Sequence, residues 1–101
     1  MGIDVILQSE TGKALHSVSD PLDLLPKLLR KVDSSNTTCL RFIDPYGDAV
    51  FNRAQALVLV DELEGLLINA DSATAEFLDQ VIALARQVAS DVHLYLKFQG
   101  D

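Results

Sequence analysis

Near the end of the chain Val92, Leu94, Leu96 and Phe98 alternate with His93, Tyr95, Lys97 and Gln99. A period of two marks a strand with one face in a core and the other toward water. Ile3, Val5 and Leu7 repeat the pattern at the start. A strand at either end, with helical spacing between, calls for a sheet on which helices pack.

The intervening elements read from turns and caps. Ser9-Glu10-Thr11-Gly12 is a turn with Gly12 free to take a positive φ, and residues 13–18 return as the second strand of a hairpin. Asp20-Pro21 reads as a helix start, an acid ahead of proline at the first helical position. Leu22, Leu25, Leu28, Leu29 and Val32 then share one helical face. Pro26 interrupts it, because proline lacks an N–H and clashes with the carbonyl four residues back. The spacing predicts a short turn over 21–25 and a new helix from Pro26, or a kink. After a loop at 33–36, Thr37 to Ile43 alternates as a strand. Asp44-Pro45-Tyr46-Gly47-Asp48 is the strongest turn, its glycine suited to a positive φ, and Ala49-Val50-Phe51 completes a second hairpin.

Asn52 and Gln55 form a capping-box pair, so a helix is predicted from Arg53 to about Ile68. A second is predicted over about 73–89, with Phe77, Val81, Leu84, Ala85 and Val88 inward. The predicted order is β-β-α-β-β-α-α-β. It describes one α+β domain over residues 1–101, a mainly antiparallel sheet of about five strands with helices on one face. Leu40, Phe42, Leu94 and Leu96 are expected in the core.

Composition narrows the partners. The 101 residues fit one domain, and 8 Lys+Arg against 15 Asp+Glu give a formal charge of −7. That balance argues against nucleic acid and anionic membrane, both of which reward basic surfaces. A single cysteine excludes an internal disulfide. No apolar run approaches the roughly 18 residues of a membrane span. Met1-Gly2-Ile3-Asp4 does not read as a signal peptide, so a cytoplasmic protein is expected.

The segment Arg41-Phe42-Ile43-Asp44-Pro45-Tyr46-Gly47-Asp48-Ala49-Val50-Phe51-Asn52, with Leu63, Leu66 and the later His93-Leu94-Tyr95-Leu96-Lys97-Phe98, resembles a family of small uncharacterised bacterial proteins. That family more often has threonine where Ala49 stands. The resemblance covers about the last two thirds of the chain and implies no activity. In its small acidic build the chain is also similar to many toxin-immunity proteins, a likeness of style and not of motif.

Three constellations bear on function. Arg41, Asp44, Tyr46, Asp48, Asn52 and Arg53 gather around the second hairpin and would form a small enzyme site. Turn and cap chemistry accounts for the same residues more simply. A Cys39–histidine pair with His16 or His93 lacks any flanking signature, and burial of the thiol is the favoured reading. Neither a cofactor nor a metal is expected. The third is charge: residues 61–101 hold eight acids against Arg86 and Lys97, whereas residues 1–60 are nearly balanced.

Beside that acidic half, Ala56-Leu57-Val58-Leu59-Val60 is apolar all round, more than one buried helix face requires. The expected function is therefore a non-enzymatic protein-binding module. Its acidic helical face, with Asp61, Glu62, Glu64, Glu76 and Asp79 as partner-binding residues, would meet a basic protein. An immunity protein neutralising a cationic bacterial toxin is the specific form. The alternatives are a structural or regulatory homodimer and a small enzyme at the Asp44–Asp48 hairpin.

Overall fold

A computed structural model describes residues 2–100, and Ser34 by its backbone alone. The two terminal alternating runs become the central strands. β1 (Asp4–Ser9) pairs with β2 (Ala14–Val18) on one side and with β4 (Leu94–Gln99) on the other. β4 in turn pairs with β3 (Asp48–Phe51), giving an antiparallel sheet of order β2-β1-β4-β3. The register sets Val5 against Phe98 and Val18, and Leu96 against Leu7 and Phe51. These six side chains are buried on one face of the sheet, where Phe51 and Phe98 meet edge to face at 5.7 Å.

Three helices cover that face: α1 (Leu24–Lys31), α2 (Arg53–Leu67) and α3 (Ser72–Ala89). Asn52 caps α2 reciprocally, accepting from the Gln55 N–H at 3.0 Å while Gln55 Oε1 accepts from the Asn52 N–H at 2.9 Å. The expected inward stripe of α3 is buried throughout. The protein is thus the α+β domain with helices on one sheet face that the sequence predicts. Among the described residues no helix is long and apolar enough to cross a membrane.

Two local expectations change. α1 starts at Leu24, not at Pro21, so Pro26 falls in its first turn. N–H groups there have no intrahelical acceptor, and the proline neither kinks nor divides the helix. The capping acid is still Asp20, buried at 2% exposure, whose carboxylate oxygens each accept at 2.8 Å, from the N–H groups of Leu24 and Leu25.

The segment predicted as a strand at 37–43 is instead a 3₁₀ turn at Leu40–Phe42, which leaves the sheet with four strands. Leu40 and Ile43, three apart, go inward with Cys39, while Phe42 is 60% exposed and not a core residue. The Arg41 guanidinium stacks over the Phe42 ring at 5.0 Å. Leu96 is fully buried and Leu94 packs at the core margin, as expected.

Gly47 does not take a positive φ; Gly12 does, at 88°. Gly100 is required for a different reason. Its N–H donates to the Gly47 carbonyl at 2.8 Å, and a Cβ there would lie 2.4 Å from that oxygen. The turn before β3 is thereby seated on the end of β4. Gly12→Ala should lower stability by about 1 kcal/mol, because an L side chain disfavours that backbone region. An unchanged denaturant midpoint would show that the hairpin does not need it.

Candidate functional site

The acid-rich helices divide into carboxylates the fold consumes and carboxylates it leaves free. Glu62 belongs to the first group. From the middle of α2 its Oε2 accepts from the Thr38 N–H at 2.5 Å, and its Oε1 from the N–H groups of Cys39 and Leu40 at 2.9 and 3.0 Å. Three amides converging on one carboxylate explain why 37–43 is not a strand: the donors a sheet partner would need are turned toward α2. Glu64 forms an ion pair with Arg86 that bridges α2 to α3. Asp71 caps α3 through the Thr74 N–H at 2.8 Å, and that bond, with the nearby Lys31, holds its carboxyl below the usual range.

Asp61, Glu76 and Asp79 are exposed. Asp61 lies on the outward side of α2, and Glu76 borders a groove between α3 and the Ser19–Leu24 turn. Of the five predicted partner-binding residues, Glu62 is thus engaged internally and Glu64 is paired, which leaves Asp61, Glu76 and Asp79 as free surface charge.

Apolar exposure follows the same helix. Ala56, Leu59 and Leu63 of α2 are buried. Its outward side carries Leu57 at 55% exposure and, just past its end, Ile68 at 81%. Asp61 and Gly65 fall between them at helical spacing, and a Cβ on Gly65 would meet nothing within 4 Å. Sequence reasoning found the all-round apolar run but had no signal for Ile68, which in sequence resembles any helix-end core residue.

The hairpin and thiol constellations come apart. Asp44 Oδ1 accepts from the Tyr46 N–H at 2.9 Å, a local turn bond, and Asp48 faces Lys97 at 3.6 Å. The described residues contain no cluster of three or more His, Cys, Asp or Glu side chains able to hold a metal. Cys39 is buried with its Sγ 3.5 Å from the Gln55 carbonyl oxygen, and burial, then the Glu62 charge, pushes its thiol up from the ordinary value. That shift opposes nucleophilic chemistry.

The histidines are placed apart from it. His16 lies opposite Leu7 on β2 and borders a groove of about 520 Å³ between that strand and α3. It therefore sits on the helix-bearing side of the sheet, not on the opposite face. A bulge places Leu15 beside it at the same groove. His93, just before β4, has its Nδ1 3.1 Å from Glu10 on the first hairpin. No protein-family model, curated protein or solved structure matches the chain.

Two measurements check this site. Glu62→Gln keeps the shape but removes the charge and replaces one of the two accepting oxygens with an NH2 group that cannot accept, and should lower stability by about 2 kcal/mol. A melt within error of the wild type would show that the carboxylate does not hold the 37–43 segment. The hydrogen bond that the His93 ring donates to Glu10, then the charges of Glu10 and Asp91, raise the His93 pKa above the ordinary histidine value. The pair therefore favours the fold fully below the ordinary value and loses that effect as pH rises through the raised one. In a proton NMR titration His93 should lose its proton at higher pH than it does in Glu10→Gln; identical midpoints would contradict the pairing.

Proposed function

We propose that this protein is a non-enzymatic binding module of the cytoplasm whose α2 outer face captures a basic protein. The observation that carries the reading is the exposure of Leu57 and Ile68 on one side of α2 with Asp61 between them. Large apolar side chains grouped on a helix surface are a common mark of a protein contact. Their burial would supply affinity, and the free acids Asp61, Glu76 and Asp79 would speed approach and reject acidic competitors. Neutralisation of a cationic bacterial toxin is the specific form that the acidic balance favours. The proposed kinship with small bacterial proteins carrying the Arg41–Asn52 segment adds no activity of its own. A small enzyme site at the hairpin has no comparable support, since Asp44 and Asp48 serve the turn and an ion pair.

The test compares association rates for the basic protein that co-purifies with the wild type and is lost with Leu57→Asp. Raising salt from low to physiological levels shortens the screening length to about 8 Å and should slow association. A triple reversal of Asp61, Glu76 and Asp79 to lysine should slow it further with little change in melting temperature, since exposed charges usually shift stability by less than about 0.5 kcal/mol. Glu62 is unsuitable for that reversal because the fold needs it. A rate indifferent to both salt and the reversals would leave the acids without a steering role.

A further inference from the structure

We infer that the groove between α3 and β2 receives an amphipathic helix of a partner protein, with a lysine or arginine of that helix set against Glu76. α3 packs over β1 and β4. β2, beyond them, is exposed at every residue except Val18. This uncovered strip is where one more helix would pack on the same sheet face, at roughly 8–10 Å from α3. Two recesses, of about 520 and 290 Å³, lie along it and share Gln80. Their common wall is one side of α3, from Ala73 through Glu76, Gln80 and Ala83 to Gln87, all exposed. That stretch rises roughly 21 Å, enough to lie along about four turns of a second helix. Ala73 and Ala83 keep the wall low, and Phe77, Leu84 and Leu94 supply apolar surface within the recesses. Leu15, 49% exposed, borders the larger recess, and Leu22, 60% exposed, the smaller.

Charge selects a basic residue in the occupant. No lysine or arginine is among the described residues that line either recess. Of the two carboxylates that are, Asp20 is spent on the start of α1, which leaves Glu76. A cation placed over Glu76 gains an ion pair as the groove loses water, and an anion there is rejected. Backbone form selects a helix. An added strand would need the outer edge of β2, and the bulge at Leu15 interrupts that ladder. A helix satisfies its own backbone groups and needs only side-chain contact. A second copy of this chain matches poorly, because its exposed apolar helix side, Leu57 to Ile68, carries Asp61 and would bring acid to acid. The lining of the groove includes no residue of α2, so the inference stands apart from capture through Leu57 and Ile68.

The experiment selects binders of the full chain from a phage-displayed library of helices with randomised surface positions, and measures the affinity of the selected helices by fluorescence anisotropy. They should carry apolar residues at i, i+3 or i+4 and i+7, with a lysine or arginine beside that stripe. Ala83→Arg, on the exposed wall, should weaken them about ten-fold or more without lowering the melting temperature. Glu76→Lys should weaken them about five-fold, and a helix whose basic residue is changed to glutamate should recover the loss, which a damaged fold could not produce. Leu57→Asp should leave the affinity unchanged, so this result is separable from capture of a basic protein by α2. A library that yields no binder, or helices lost with Leu57→Asp and indifferent to Ala83→Arg, would overturn the inference. Dimers in sedimentation equilibrium that Ala83→Arg dissociates would put a second copy in the groove and overturn it as well.

Discussion

The hydrogen bonds from Thr38, Cys39 and Leu40 to Glu62 tie the segment between α1 and β3 to the middle of α2. They draw the segment after α1 onto α2 and send Cys39, Leu40 and Ile43 into the core. That placement leaves Arg41 and Phe42 at the surface and fixes where the following turn begins. The turn is then seated on Gly100 at the end of β4, and β3 enters the sheet from there. A half-buried carboxylate could not be tolerated without such partners, because an unpaired charge there carries a large desolvation cost. The clamp and the fold therefore require each other.

The same economy runs through the other acids. Asp20 starts α1, Asp71 starts α3 and Asp44 closes a turn, each by accepting backbone N–H groups. Helix starts and turns offer unsatisfied donors, and a short carboxylate side chain is well suited to reach them. A net charge of −7 thus overstates the acidity available to a partner. Of the three helix acids left free, Asp61 lies between exposed apolar side chains on the outer side of α2, whereas Glu76 and Asp79 lie on α3. Affinity and selectivity would accordingly come from neighbouring but chemically different groups.

The sheet gives the molecule a second polarity. Its two central strands, β1 and β4, lie near the two ends of the described residues, whereas the edge strands β2 and β3 come from internal segments. The β2 edge is broken by the bulge at Leu15, and the β3 edge is regular and bordered by aromatic side chains. α2 begins directly after β3, and its Gln55 borders a recess along that edge.

Sequence alone determined what depends on near neighbours. The period-two runs of β1 and β4, the capping pair of Asn52 and Gln55, the inward stripe of α3 and the turn at Gly12 are all set by residues a few positions apart. Their geometry follows from side-chain alternation, helical spacing and local donors. Tertiary structure decided what depends on contacts distant in the chain. Thr37–Ile43 alternates like a strand, yet a carboxylate more than twenty residues later turns its amides away from any sheet. Phe42 is exposed for that reason, and Glu62 is structural where its spacing suggested free surface charge. Alternation records which side chains could share a face. It cannot record which acceptor a backbone N–H will find, because that depends on where another element packs.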